Sequence, residues 1–247
     1  MAGHAAPNIV EDGLVFYIDA ANQRSCVGST STTKLFNLMD EGTVTGSFGS
    51  SGIWDSEKLG NWDFDSIDQR IVFDIELSNT SSYIDLSQDF TFSIWIKCDD
   101  YNVNSIAFAN KRFYTTGKGI QFGQFSSPKQ LHFVLKTNSY NNVIYSGKGI
   151  DDGTFGWFNW TVFTDGSNAS NLKGYVNGEF ESSGAAYGRN ASGMTGYESQ
   201  TYALGGSGNS NERFSGASVA IVQGYNRALS PAEIKQNYNA LKGRFGL

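Results

Sequence analysis

Hydrophobic and polar residues alternate along most of this chain with the two-residue period of half-buried β-strands. Between Leu14 and Ala20, the residues Leu14, Phe16 and Ile18 fall on one side and Val15, Tyr17 and Asp19 on the other. Between Phe90 and Lys97, Phe90, Phe92, Ile94 and Ile96 alternate with Thr91, Ser93, Trp95 and Lys97. The same rhythm, in shorter runs, predicts strands over 71–73, 83–86, 105–109, 120–125, 131–136, 143–145, 158–164, 172–176, 179–182, 202–204 and 217–225. Asn177-Gly178, flanked by strand residues, predicts a type I′ hairpin. Residues 22–61 are rich in Ser, Thr and Gly and weakly patterned, which predicts a long loop region with short strands near 35–38 and 43–48. Residues 184–200 read as a second loop. Evenly spaced strands with no linker and no internal repeat predict an all-β, two-sheet antiparallel sandwich.

The period changes once, at the C-terminus. Ser230 is placed to cap a helix, Pro231 suits its first position, and Glu233 completes a capping box. Ile234, Tyr238 and Leu241 then share one face, which predicts a helix over 230–242 lying on the β body and closed by Gly243. The expected organisation is an N-terminal arm over 1–12 and one sandwich over 13–247 that includes this helix.

The chain has 247 residues, with 29 Gly, 3 Pro and 14% aromatic residues, enough to build a core without covalent staples. A net charge of −6 argues against nucleic acid, because phosphate binding needs clustered cations. Cys26 and Cys98 lie far apart, and spacing alone leaves their pairing open. No Cys-x-x-Cys or His-x-x-x-His framework suggests zinc. The first residues lack a charged and apolar leader, and no segment reaches the ~20 apolar residues of a membrane span. Synthesis in a cytoplasm, with no membrane partner, is the expectation.

Candidate chemistry is sparse. Asp63, Asp65 and Asp68 form the densest acidic cluster and are a candidate calcium set, with a polar turn as the plainer reading. Asp151-Asp152-Gly153 reads as a turn. Trp54, Trp62 and Trp157 are candidate sugar-stacking residues, with core packing as the default for each. Trp157 and Trp160 differ by three, so on a strand they face opposite ways. Glu179 and Glu181 share a strand face at i and i+2 without a third carboxylate. His4 and His132 have no nucleophile pattern nearby, and neither a Gly-x-Ser-x-Gly elbow nor a phosphate loop is present. Asn79, Asn159, Asn168 and Asn190 match the glycosylation sequon, as chance allows in an Asn- and Ser-rich chain. Pro7, Asn8, Ile9 and Val10 carry no strand pattern and are the expected anchor to a partner.

The order of several segments resembles the concanavalin A-like lectin/glucanase jelly roll in its laminin-G-type branch. The matching pieces are Phe90–Lys97, Trp157 through Asp165-Gly166, Leu172 through Asn177-Gly178, Leu204-Gly205 and Phe214-Ser215-Gly216. Ile75–Ser81 departs from it, intervening where the family runs directly into its next strand. The opening Asp12–Asn22 and the close from Tyr225 to Tyr238, with the tail to Leu247, resemble structural proteins of tailed bacteriophages. The superfamily's glucanases carry a Glu-x-Asp-x-x-Glu strand that supplies nucleophile and acid from one face; this chain has no such spacing. The resemblance thus implies a non-enzymatic virion structural protein, a decoration or accessory protein of the head rather than the tail. Its partners would be capsid or tail proteins. The alternative is a carbohydrate-binding adhesin or tail-fibre module that recognises a cell-surface glycan. No cofactor other than calcium is suggested.

Overall fold

The computed structural model describes residues 7–25, 35–39, 46–48, 54–55, 60–64, 71–76, 84–98, 105–110, 119–125, 129–137, 139–146, 156–165, 172–184, 201–206 and 217–247. Its strands are β1 (Leu14–Asp19), β2 (Gly46–Phe48), β3 (Trp54–Asp55), β4 (Asn61–Phe64), β5 (Ile71–Glu76), β6 (Phe90–Cys98), β7 (Ser105–Asn110), β8 (Gly119–Phe125), β9 (Gln130–Lys136), β10 (Asn141–Tyr145), β11 (Trp157–Thr164), β12 (Leu172–Val176), β13 (Glu179–Gly184), β14 (Thr201–Leu204) and β15 (Ala217–Tyr225). One helix, α1 (Pro231–Phe245), follows.

Among the described residues the strands form two antiparallel sheets. The eight-stranded sheet runs β13-β12-β11-β6-β15-β4-β3, with β1 also paired to β15. β4 takes the beginning of β15, from Ala217 to Val219, and β1 takes the remainder, from Ile221 to Tyr225. The seven-stranded sheet runs β10-β9-β8-β7-β14-β5-β2. The alternation read from the sequence sorts most side chains as expected; in β1 an irregularity between Leu14 and Phe16 turns Leu14 to the outer face while Phe16 and Ile18 face the core. Phe16, Phe92 and Val222 from one sheet meet Phe108, Phe122 and Phe133 from the other in a single core. Phe122 and Phe133 pack edge to face with centroids 4.8 Å apart, a favoured aromatic geometry. Asn177 and Gly178 both take positive φ, 54° and 76°, so the I′ hairpin between β12 and β13 forms as predicted.

Other expectations about the strands change. Residues 84–86 form no strand: Asp85 accepts from the Ser87 and Gln88 amides in a turn, although Ile84 and Leu86 still reach the core. Around 35–38 there is a single bridge at Leu35 rather than a strand. The weakly patterned 22–61 region contributes β3 and the first residue of β4. β5 continues through Ile75 and Glu76 into the expected insertion.

The helix is capped as expected at its start. Ser230 accepts from the Glu233 amide at 3.3 Å and the Glu233 carboxylate accepts from the Ser230 amide at 2.8 Å. It does not stop at Gly243. The left-handed cap is Gly246, at φ 76°, and Gly243 lies exposed inside the last turn. The extra turn seats Phe245 on the sheet, and burying that ring outweighs the helix cost of an internal glycine.

Candidate functional site

The eight-stranded sheet has two faces, and what happens on its outer face defines the candidate site. One row crosses it directly from strand to strand: Tyr17, Gln223, Ser93, Thr161, Tyr175 and Phe180. The row below carries Ile221, Trp95 and Asn159, and the row above carries Tyr225, Thr91, Phe163 and Lys173.

α1 and the N-terminal segment cover one side of this face. Ile234 joins Val10, Leu14, Phe163, Tyr175, Tyr225 and Leu229 in one apolar cluster. Phe245 joins Trp95, Trp157, Ala220 and Ile221 in a second, with Tyr238 and Leu241 at its margin. Phe245 stacks on Trp95 at 4.1 Å and 13°. Between the two clusters lies a buried polar seam, in which the Ser93 hydroxyl oxygen accepts from Asn159 at 2.8 Å and from Thr161 at 2.9 Å. Arg244 closes the far end, donating to Asp19 at 2.6 Å and to the Gly60 carbonyl.

The N-terminal segment is part of this cover. The Val10 amide donates to Asn237 Oδ1 at 2.7 Å, and the Val10 carbonyl accepts from the Tyr225 hydroxyl at 3.1 Å. Asn237 donates to the same hydroxyl at 2.9 Å, and Gln236 donates to the Asn8 carbonyl at 2.8 Å. Of the four expected anchor residues, Pro7 and Asn8 are exposed, Ile9 is half-buried and Val10 is buried. Ile9 and Val10, expected as part of an anchor to a partner, are held by this chain's own helix and its neighbours. Burial raises the Tyr225 phenol above its ordinary pKa, and the hydrogen bond from Asn237, which favours the charged form, opposes the shift.

Two of the three candidate tryptophans follow the default of core packing. Trp62 and Trp157 are buried, at 0% and 4% exposure, and are not surface platforms. Trp54 is half-buried, and its indole donates to the Ala20 carbonyl at 3.0 Å. Trp157 and Trp160 do face opposite ways, but both are enclosed: Trp160 enters the inter-sheet core, and Trp157 lies beneath Phe245. Asn159, one of the sequon asparagines, is buried in the polar seam.

Asp63 sits on β4 and not in a turn, where its carboxylate accepts from the Ser218 hydroxyl at 3.2 Å. Asp65, Asp68, Asp151 and Asp152 lie outside the described residues, as do Cys26 and His4. No three His, Cys, Asp or Glu side chains converge as a metal set among the described residues. Cys98 is buried at the end of β6. His132 is buried beside Gln121, whose amide nitrogen lies 3.0 Å from Nε2, and burial pushes its pKa down to about 3. The ring is thus neutral at physiological pH and suited to packing rather than to acid chemistry. Glu179 pairs with Lys235 on α1. Glu181 falls at a register shift, so the two glutamates do not present a regular i, i+2 pair.

Beyond the helix, at the β13 edge, the outer face is open. Phe180 is 55% exposed. Its ring meets Tyr175 edge to face at 5.6 Å, and Tyr175 packs on Phe163 at 5.8 Å. Lys173 Nζ lies 5.4 Å over the Phe163 ring and 3.1 Å from the Asp165 carboxylate. Burial raises the pKa of the Tyr175 hydroxyl, Lys173 opposes the shift, and Asp165 adds to it. Sequence reasoning passed over Phe180. Its one signal was an apolar residue between two glutamates directly after a hairpin.

The family model of the Concanavalin A-like lectin/glucanases superfamily matches residues 74–235. No curated protein sequence matches the chain. Among solved structures, the binding domain of botulinum neurotoxin DC in complex with rat synaptotagmin II is similar at 13% identity and a TM-score of 0.66, covering 94% of this chain and 52% of that one. The same toxin's binding domain in complex with SialylT aligns at 13% identity and a TM-score of 0.64, covering 93% and 52%. The binding domain of Paraclostridial Mosquitocidal Protein 1 aligns at 14% identity and a TM-score of 0.66, covering 92% and 52%. The likeness is one of fold, and this chain spans about half the length of each of these structures.

Proposed function

The chain belongs to the Concanavalin A-like lectin/glucanases superfamily, and from that premise we propose that it is a non-catalytic recognition module displayed on a tailed-bacteriophage particle. Its place would be on the head, as a decoration or accessory protein, with capsid or tail proteins as partners after synthesis in the host cytoplasm. The observation that carries the recognition reading is the fold, shared over more than nine tenths of the chain with binding domains of toxins. The missing Glu-x-Asp-x-x-Glu spacing supports the same reading over the glucanase branch. The virion reading rests on the resemblance of the chain's opening and close to phage structural proteins. Purified particles test it: the protein should co-sediment with intact virions, and labelled antibody should decorate heads. Its absence from washed particles would overturn the virion reading. Hydrolysis of polysaccharide by the protein, lost in Glu181→Gln, would overturn the non-catalytic one.

A second reading is a carbohydrate-binding adhesin or tail-fibre module. A structural neighbour solved with SialylT favours it. In that case the protein alone binds host cells, and antibody lands on tails.

A further inference from the structure

We propose that α1 is a releasable strap. It lifts from the outer face of the eight-stranded sheet as one unit while the sandwich beneath stays folded, and its release controls exposure of that face.

The core permits this. The inter-sheet cluster is built from strand residues together with Ala20, Leu35, Ile84 and Leu86, and it contains no residue of α1. Ile234 and Phe245 are buried only in the two outer clusters. Undocking the helix therefore costs the outer contacts and leaves every strand pairing and the inter-sheet core in place.

The helix is tied to the sheet at its two ends and poorly matched to it between them. At one end Ile234 enters its apolar cluster, Lys235 pairs with Glu179, and Asn237 bonds to Val10 and Tyr225. At the other, Phe245 stacks on Trp95 at 4.1 Å and Arg244 donates to Asp19 at 2.6 Å. Between these ties lies Gln223, on β15 between Ile221 of one cluster and Tyr225 of the other, with 0% exposure. Its amide nitrogen and oxygen are both buried without a hydrogen-bond partner. So are the indole nitrogens of Trp95 and Trp157 on the same face. The neighbouring Ser93, Asn159 and Thr161 bond to one another and not to Gln223.

Each of these four atoms gave up its hydration on docking and received no bond in exchange. A polar layer that is only partly satisfied binds less well than an apolar one of the same shape. Lifting α1 returns all four atoms to water, which offsets part of the apolar burial lost from Ile234 and Phe245. No comparable relief comes from separating paired strands, so the helix is the first element to leave. Trp95, Trp157 and Tyr225 then become exposed together, and whatever meets this face meets it only in the open state.

Native-state hydrogen exchange followed by NMR on the full chain, at urea concentrations below the unfolding transition, tests this. The backbone amides of Tyr238, Leu241 and Phe245 should share one opening constant, about a hundredfold or more larger than that of the β6 and β11 amides, with a shallow dependence on urea because little surface is exposed. The Val10 amide, which donates to Asn237 Oδ1 across 227 positions of sequence, should open with them. Gln223→Leu keeps most of the bulk and removes both unpartnered atoms, so it should make the opening about tenfold rarer, and Gln223→Met should act in the same direction. Helix amides that share the opening constant and urea dependence of β6 and β11 overturn the strap. Protection that fades residue by residue toward Phe245, with no urea dependence and no link to Val10, shows fraying of the helix end and overturns it too. Opening that is unchanged or more frequent in both Gln223 variants overturns the mismatch beneath α1 as its cause.

Discussion

Phe245→Ala should be among the most damaging single truncations on the outer face of the eight-stranded sheet. The ring is 5% exposed, stacked on Trp95 at 4.1 Å and 4.9 Å from Trp157. Truncating a buried phenylalanine costs about 3–5 kcal/mol, made up of lost transfer energy and the cavity left behind. Ser230→Ala, at the other end of the same helix, removes one exposed 3.3 Å hydrogen bond and should cost about 1 kcal/mol. In a domain of this size each kcal/mol moves the melting temperature by about 2–4 °C, so roughly 6–20 °C is expected for Phe245→Ala and about 2–4 °C for Ser230→Ala. Both variants should remain folded, since domains of this kind carry about 5–15 kcal/mol of stability. Urea melts followed by circular dichroism measure the cost. Tryptophan emission adds a local readout, because Trp95 and Trp157 should become more polar in surroundings and shift to the red. Phe245→Leu, which keeps apolar burial but loses the stack, should fall between wild type and Phe245→Ala. If Phe245→Ala melts like wild type, or costs less than Ser230→Ala, the last turn of α1 is not docked as described and the argument for Gly246 over Gly243 as the cap fails with it.

Removing residues 1–10 should leave a folded but weakened protein, about 2–4 kcal/mol less stable in urea, because the buried Val10 side chain and its bonds to Asn237 and Tyr225 are lost; an unchanged midpoint would contradict the docking of Val10 on α1. Gly243→Ala should raise stability by about 0.5–1 kcal/mol, since the position is helical, exposed and open around its Cα; a loss would show that the glycine serves a contact. Arg227 and the Ser230 cap hold Glu233 down at a pKa of about 2, with the Arg227 hydrogen bond the largest cause. A depressed carboxylate contributes stability that is fully present above its unfolded pKa, about 4.5, and is lost as pH falls through about 2. Glu233→Gln should therefore be less stable at neutral pH, by about 2 kcal/mol once partial exposure is allowed for, and should converge with wild type near pH 2. Parallel stability curves for the two proteins down to that pH would contradict the pairing with Arg227.

The chain's local chemistry determined a good deal by itself. Two-residue alternation placed Phe16, Phe92, Ile94 and Phe133 on inward faces, Asn177-Gly178 set a hairpin, and Ser230 with Glu233 started a helix. Each of these depends on residues within a few positions of one another, so pattern alone carries them. Tertiary structure decided what lies on the far side of a strand. Alternation says that Trp157 and Trp160 point opposite ways, but not that a helix some 80 residues later roofs over the outward one. Val10 shows no period, yet it is buried because Asn237 and Tyr225, more than 200 positions on, offer its backbone two partners. Ile84 and Leu86 alternate like a strand and are buried like one, but the chain turns there, with the Ser87 and Gln88 amides donating to Asp85. Phe180 is the converse: the hairpin that carries it was legible, while the bulge at Glu181 and the end of the helix's cover that leave it open were not. Period fixes only a direction relative to the local backbone, whereas exposure is set by whichever distant segment comes to lie in that direction.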